Sequence, residues 1–138
     1  MPVGVHRATW GELVLRFGID PHRKRLLQGL RSMLAVLESA GCSLAYVDGS
    51  FVTSKTAPSD FDGAWDMAGV DLRRLHTLEP LLFDFSNRRA AQKAKYFGEL
   101  FPAELVESNS GNTFLDFFQH DKNTGADKGI VAIDLRTL

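Results

Sequence analysis

The chain has little cysteine, almost no net charge and no long hydrophobic run, and each shortage excludes a class of protein. Among the 138 residues, the one cysteine, Cys42, cannot form an internal disulfide, which favours a reducing compartment. A net charge of −1 gives no overall attraction to nucleic acid or to a membrane surface. No stretch is apolar enough to span a bilayer, and the N-terminus lacks the apolar run of a signal peptide. We therefore expect a cytoplasmic protein with no membrane partner.

The composition itself is that of a globular protein. Hydrophobic residues make up 44% of the chain and charged residues 24%, which is close to the average for folded domains. A chain of 138 residues is long enough to bury a hydrophobic core without disulfides. We therefore expect a single domain over residues 1–138.

Helix signals recur along the chain. Thr9 and Glu12 form a capping-box pattern that predicts a short helix ending near Phe17. Asp20-Pro21 then predicts the start of a second helix, in which leucines recur at helical spacing until Gly41. Further helices are predicted over about 70–77 and 87–97, with a helical turn over 51–55.

Strand signals are fewer and shorter. Four strands are predicted, over residues 44–47, 60–65, 113–119 and 129–135, and the last two are expected to form an antiparallel pair around a polar loop. With the helices between them, this order predicts an α+β (mixed α/β) fold. We expect a small mixed β-sheet of about four strands with helices packed on it.

The most informative pattern is a Gly-Ser turn followed by two acids. Gly49 and Ser50 follow an apolar strand, and Asp60 and Asp62 come after nine further residues. Strand alternation places both acids on one face, which suits a divalent cation such as Mg²⁺. Backbone N–H groups of the Gly-Ser turn could bind a phosphate, and Lys55 in the spacer could reach one. The pattern therefore predicts a combined metal and phosphate site.

A third carboxylate usually completes such a metal site. Asp116 is the first candidate, because on a strand it would lie between Phe114 and Phe118, where an acid is costly unless a cation compensates it. Asp134, between Ile133 and Leu135, shows the same local pattern. Both candidates stay open at this point.

These residues together resemble the polymerase-beta-type nucleotidyltransferase superfamily, especially its small prokaryotic members, and the whole chain is similar to an uncharacterised bacterial family with this motif. The resemblance implies a nucleotidyltransferase-like fold and transfer of a nucleoside monophosphate from an NTP, with Mg²⁺ or Mn²⁺, to a hydroxyl on RNA (such as tRNA) or protein. Gly49 and Ser50 would hold the triphosphate. Asp60, Asp62 and Asp116 would be the catalytic, metal-binding acids. Several small members are implicated in toxin–antitoxin or phage-defence systems.

Two other classes of function remain. The first is a catalytically inactive nucleotidyltransferase-like subunit that binds a partner subunit or a second copy of itself. It is kept open by Gly63 and Phe51, which depart from the residues common in the superfamily, and by the lack of a C-terminal base-binding domain. The second is a nucleic-acid-binding domain. It would use the cations of the helix predicted over 87–97, which could equally be a solvated face: Arg88, Arg89, Lys93 and Lys95.

Overall fold

The structure, a computed structural model, describes residues 3–48, 60–120 and 126–138. The strands of the described residues are β1 Gly4–Ala8, β2 Leu44–Asp48, β3 Phe61–Trp65, β4 Gly98–Pro102 and β5 Gly129–Asp134. The helices are α1 Trp10–Phe17, α2 Pro21–Ser39, α3 Leu72–Leu78, α4 Ala90–Tyr96 and α5 Phe114–Phe117. Short 3₁₀ segments lie at Pro80–Phe83 and Leu135–Thr137, and a left-handed turn lies at Ser86–Arg89. None of these helices is long and apolar enough to cross a membrane.

The strands form one mixed sheet in the order β1-β5-β2-β3-β4. β1 is parallel to β5 and β3 is parallel to β4, whereas β2 is antiparallel to both of its neighbours. This arrangement confirms the predicted combination of a mixed sheet with helices. Within the described parts of the chain the sheet has five strands, however, where about four were predicted.

The two faces of the sheet differ in how they are covered. Phe61 and Trp65 of β3 point into a core that the helices close, and α2 supplies most of the facing side chains. The buried residues of α2 are Leu26, Leu27, Gly29, Leu30, Met33, Leu34 and Leu37. On the other face, Ala64 and Phe101 pack with Phe118 of the segment after β4. The leucine stripe predicted for the second helix is therefore confirmed.

The starts of α1 and α2 are set by local hydrogen bonds. Thr9 Oγ1 accepts from the Glu12 N–H, and the Glu12 carboxylate accepts from the Thr9 N–H, each at 3.1 Å. At the second helix, Asp20 Oδ1 accepts from the Arg23 N–H at 2.7 Å, with Pro21 in the first turn. Because each cap lies within three residues of its partner, the sequence pattern was sufficient to find both helix starts.

The edge strands β1 and β4 are absent from the prediction made from sequence. In β4, Gly98 and Pro102 resemble helix terminators, yet both fit an edge strand. A Cβ at Gly98 would lie 2.5 Å from the Phe61 ring, so only glycine permits this close strand packing. Pro102 occupies the last position of the edge strand, where proline is tolerated because few ladder hydrogen bonds are lost.

The strand predicted over 113–119 is wrong, because residues Phe114–Phe117 form the short helix α5. Thr113 Oγ1 accepts from the Asp116 N–H at 3.3 Å as its N-cap. Phe114 and Phe118 are four residues apart, a spacing that fits one helix face as well as alternate strand positions. The predicted antiparallel pair is therefore also wrong, and β5 pairs instead with β1 and β2.

The helices predicted over 70–77 and 87–97 exist with shifted limits. α3 begins after its N-cap Asp71, whose side chain accepts from the Arg74 N–H. α4 begins only at Ala90, because the three preceding residues have left-handed backbone angles, with φ of 50° at Asn87, 54° at Arg88 and 60° at Arg89. The helical turn predicted over 51–55 lies outside the described residues.

Two helical glycines should respond in opposite directions to alanine. A Cβ at the buried Gly29 of α2 would lie 1.9 Å from the Tyr96 carbonyl oxygen. A Cβ at Gly11 of α1 would have its nearest heavy atom 3.9 Å away. Gly29→Ala should lower the free energy of unfolding by roughly 1–3 kcal/mol or more. Gly11→Ala should raise it by roughly 0.5–1 kcal/mol. Urea denaturation measures both, and a stable Gly29→Ala variant would contradict the close packing of α2 on α4.

A glycine in the left-handed turn before α4 should relieve the backbone strain of that turn. Each such residue costs roughly 1–2 kcal/mol relative to a right-handed conformation, a cost that glycine avoids. Arg88 is exposed, so Arg88→Gly should raise the free energy of unfolding by up to about 1 kcal/mol. Arg88→Ala, which keeps a Cβ, is the control and should give no such gain in urea denaturation. Equal effects of the two substitutions would show that the turn is not strained.

Candidate functional site

A cleft of about 750 Å³ opens on the face of the sheet that the long helices do not cover. One part of its lining is charged and includes Asp48, Asp62, Arg89, Glu99 and Lys128. Another part is apolar, made by phenylalanines from the segments flanking β4 and by β4 itself. The volume lies in the range typical of small-molecule sites, and the mixed lining suits a ligand with both charged and apolar groups.

Three neighbouring strands each direct one carboxylate into this cleft. Asp62 on β3 is the register partner of Glu99 on β4, so both side chains lie on the same face. Asp48 ends β2, one residue beyond the pair that Val47 makes with Gly63, and it therefore lies opposite Asp62 on that face. The carboxylate of β3 thus has an acidic neighbour on each side.

The two outer carboxylates are ion-paired. Lys128 Nζ donates to both Asp48 oxygens, at 2.9 and 3.1 Å. Arg89 Nε donates to Glu99 Oε2 at 2.7 Å and its Nη2 to Oε1 at 3.3 Å, while Lys93 Nζ lies 3.8 Å from the same carboxylate. Each pair is largely shielded from water, so its charges attract more strongly than exposed ones would.

Asp62 is the carboxylate without such compensation. Within the described part of the chain it makes no hydrogen bond and no ion pair. Burial is the main cause that raises its pKa to about 7, and the charges of Asp48 and Glu99 raise the pKa further, while Lys128 lowers it. The cleft therefore has a place for an additional positive charge beside Asp62.

Asp60 lies one residue before β3, and its charge also raises the pKa of Asp62. The structure therefore brings together the two acids that the sequence pattern paired. Gly49, Ser50 and Lys55, the predicted phosphate-binding residues, lie outside the described residues. The chain enters the segment that contains them directly after Asp48, which lines the cleft.

Asp116, the predicted third acid, is not on a strand and does not lie beside Asp62. It is exposed on α5, where its backbone carbonyl accepts a hydrogen bond from the His120 ring at 2.7 Å, and its side chain does not line the cleft. The prediction assumed a strand over this segment, and the helix turns the carboxylate away. Its premise is therefore wrong.

Asp134, the alternative third acid, lies at the other end of β5. Asp48 pairs with Ile130 and Leu44 pairs with Asp134, so four strand residues, or about 13 Å, separate the two levels of the sheet. Arg136 donates two side-chain hydrogen bonds to Asp134, at 3.0 and 2.8 Å, and these hydrogen bonds lower its pKa to about 2. Asp134 thus has its own cation and lies too far from Asp62 to share a ligand.

Glu99 is an acidic residue of the cleft that the sequence pattern missed. It follows Gly98, and the helix predicted to end there concealed the strand that carries it. Asp48 was visible as the residue before the Gly-Ser turn, but nothing local indicated its pairing with Lys128, which is 80 residues away. These contacts connect different strands, so a pattern within one segment could not reveal them.

The basic helix predicted over 87–97 is less free than its composition suggests. Arg89 and Lys93 face Glu99, and Lys95 pairs with Glu79, which also accepts a hydrogen bond from the Tyr96 hydroxyl. Three of its four cations are therefore engaged by carboxylates. A polyanion would have to displace these contacts to bind here, which disfavours this helix as a nucleic-acid-binding surface.

The donor atoms of the cleft decide whether a divalent cation fits. No group of three or more histidine, cysteine or acidic side chains suited to holding a metal ion occurs among residues 3–48, 60–120 and 126–138. Carboxylate oxygens are nevertheless the ligands that Mg²⁺ and Mn²⁺ prefer, and Asp62, with Asp60 and Glu99 near it, has no counter-ion among the described residues. The site thus fits a hard cation in charge and ligand type.

Comparison with known proteins gave one match. A family model described as a family of unknown function (DUF6932) matches residues 1–134. Neither the curated proteins nor the solved structures gave a match. The match extends over β1 to β5 and therefore includes every strand that carries a residue of the cleft.

The charge on Asp62 should make the protein less stable as the pH rises. Its folded-state pKa is raised to about 7, so the folded protein binds more protons than the unfolded chain between about pH 4 and pH 7. Stability is therefore lost as the pH rises through this window. Asp62→Asn lacks the titrating group, so its stability advantage over the wild type should grow by on the order of 2 kcal/mol between pH 5 and pH 8.

Urea denaturation at several pH values measures this difference. Asp134→Asn is the control with the opposite sign, because a pKa lowered to about 2 means that ionised Asp134 stabilises the fold at neutral pH. This substitution should therefore be destabilising at pH 8. Stability curves for wild type and Asp62→Asn that stay parallel from pH 5 to pH 8 would contradict the uncompensated charge.

Proposed function

The chain belongs to the DUF6932 family, whose function is unknown, and from the cleft we propose that it is a metal-dependent nucleotidyltransferase. The reaction would transfer a nucleoside monophosphate from an NTP to a hydroxyl of RNA, such as tRNA, or of a protein. A cytoplasmic setting and a role in a toxin–antitoxin or phage-defence system belong to the same proposal. We also propose that the fold is related to the nucleotidyltransferase fold.

One observation carries this proposal: among the described residues, no cation pairs with the shielded carboxylate of Asp62, which lies in a cleft also lined by Asp48, the residue before Gly49 in the sequence. Burying an unpaired charge is costly, and proteins normally avoid it or use it. A site that binds a cation together with an anionic substrate would compensate the charge only when the ligand is present. This behaviour is expected of a metal and triphosphate site.

Asp60 and Asp62 are the residues that would hold Mg²⁺ or Mn²⁺, and Glu99, the cross-strand partner of Asp62, replaces Asp116 as the proposed third carboxylate. When bound, such a cation neutralises the phosphates and lowers the pKa of an attacking hydroxyl. One of the three carboxylates would accept the proton of the acceptor hydroxyl.

The basic side chains of the cleft would bind the phosphates. Arg89 and Lys128 already lie in the cleft, each paired with a carboxylate. A cation bound at the acids would weaken these ion pairs and free both side chains to donate to phosphate oxygens. The backbone N–H groups at Gly49 and Ser50 and the side chain of Lys55 would add further contacts, as their sequence suggests.

A binding or regulatory subunit without catalysis is the second candidate, and the two ion pairs favour it. Lys128 and Arg89 neutralise Asp48 and Glu99 within the protein itself, so two of the carboxylates that line the cleft already have cations. In such a protein the side chains of Lys128 and Arg89 would permanently occupy the positions that metal ions would otherwise take beside the carboxylates. The partner would then be another subunit or a second copy of this chain.

Calorimetry with MgATP, MgGTP, MgCTP and MgUTP, together with transfer of label from each α-labelled NTP to total tRNA or cell protein, tests the enzyme. Binding should require Mg²⁺ or Mn²⁺. Asp62→Asn and Asp60→Asn should weaken metal-dependent NTP binding at least tenfold and abolish label transfer, because each removes a proposed ligand. Asp134→Asn, on the same sheet about 13 Å away, should change neither.

The outcome separates the two candidates. Transfer that is lost in the acid variants and kept in Asp134→Asn supports the enzyme. Metal-independent NTP binding without transfer would favour the binding subunit. No NTP binding with either metal would overturn the nucleotidyltransferase.

A further inference from the structure

The apolar part of the cleft is an aromatic wall, defined here by Phe85, Phe101, Phe114, Phe117 and Phe118. The rings of Phe101 and Phe114 stack with centroids 4.1 Å apart and planes 4° from parallel. Phe85 stacks on Phe101 at 5.8 Å and 14°. Phe101 is thus shared by two stacked pairs of nearly parallel rings, and Phe117 and Phe118 pack against Phe114.

The rings of the aromatic wall differ in their exposure to water. Phe101 is only 7% exposed, whereas Phe85 is 40% exposed. Two aliphatic side chains of the same cleft, Leu105 and Val106, are also exposed, by 45% and 62%. Apolar groups left open to water inside a concave site indicate that a ligand covers them.

The aromatic wall adjoins the charged part of the cleft. The guanidinium carbon of Arg89 lies 5.1 Å from the centroid of the Phe101 ring, and the same guanidinium donates to Glu99. One side chain thus connects the two halves of the lining. A ligand that spans them needs a flat apolar group within a short distance of an anionic group.

We propose that the aromatic wall binds the base of the NTP by stacking on Phe85, while the phosphates extend toward Arg89, Lys128 and Asp62. This inference rests on the proposed function, and it names the part of the substrate that the charged residues leave unexplained. Every nucleobase has a flat face, so stacking on an aromatic side chain accepts all four bases. The specificity of this site is therefore for a base attached to phosphates.

Comparison of NTPs with magnesium tripolyphosphate, which has the phosphates but no base, tests the aromatic wall. By calorimetry, MgATP and MgUTP should each bind the wild type at least tenfold more tightly than magnesium tripolyphosphate. Phe85→Ala should weaken binding of both NTPs at least fivefold and leave tripolyphosphate binding unchanged. Phe85→Trp, which keeps an aromatic face, should retain NTP affinity.

Leu78→Ala is the matched control, because Leu78 is 46% exposed on α3 and does not line the cleft. It should leave all affinities unchanged. Thermal denaturation of Phe85→Ala should match the wild type within a few degrees, since Phe85 is 40% exposed and lies outside the buried core, and this measurement separates a lost contact from a lost fold.

The failures of the two proposals are distinguishable. Equal affinities for NTPs and tripolyphosphate, or equal weakening of both by Phe85→Ala, would overturn the base site and leave the nucleotidyltransferase standing. If neither probe binds, both proposals are overturned. If Phe85→Ala weakens binding of a short single-stranded RNA but not of NTPs, the wall belongs to the acceptor and the assignment to the NTP is wrong.

Discussion

Asp62 lies on the middle one of three strands that each direct a carboxylate into the same cleft, and the arrangement around it depends on how their charges are balanced. Lys128 and Arg89 neutralise the outer two, Asp48 and Glu99, and neither cation donates to Asp62. The pairing of β3 with β4 keeps the Asp62 and Glu99 carboxylates close together, since the two residues are register partners. Separating the two carboxylates would require a one-residue change of register, which would move every core side chain of the strand to the other face.

The turn before α4 connects the charged and aromatic parts of the cleft. Three consecutive residues with left-handed backbone angles precede the helix, and the last of them is Arg89, which both pairs with Glu99 and lies against Phe101. Backbone strain of this kind persists only where other contacts hold it, and it concentrates at functional sites. The ion pair and the contact with the ring supply such contacts here. The same segment positions Phe85 at the open end of the aromatic wall.

The two faces of the sheet are packed differently, and this difference explains where the cleft can form. The helices bury one face, with Gly29 allowing α2 to approach the Tyr96 backbone closely. Among the described residues, the other face is covered only in part, by the short α5 and the segment before it. A rigid, fully packed core on one side can therefore hold strand ends whose side chains on the other side remain available to a ligand.

Local patterns determined what depends on neighbouring residues: the capping box of Thr9, the cap at Asp20, the leucine face of α2 and the alternation that separates Asp62 from Phe61. Each rests on contacts within a few residues, so the sequence contained the whole cause. Where one pattern fits two structures, as the phenylalanines around Asp116 do, packing decided for the helix. Only the tertiary structure decided that Glu99, rather than Asp116, lies beside Asp62, and that Lys128 and Arg89 compensate its neighbours. Those contacts join different strands and distant segments, and their energies depend on burial that no single segment possesses.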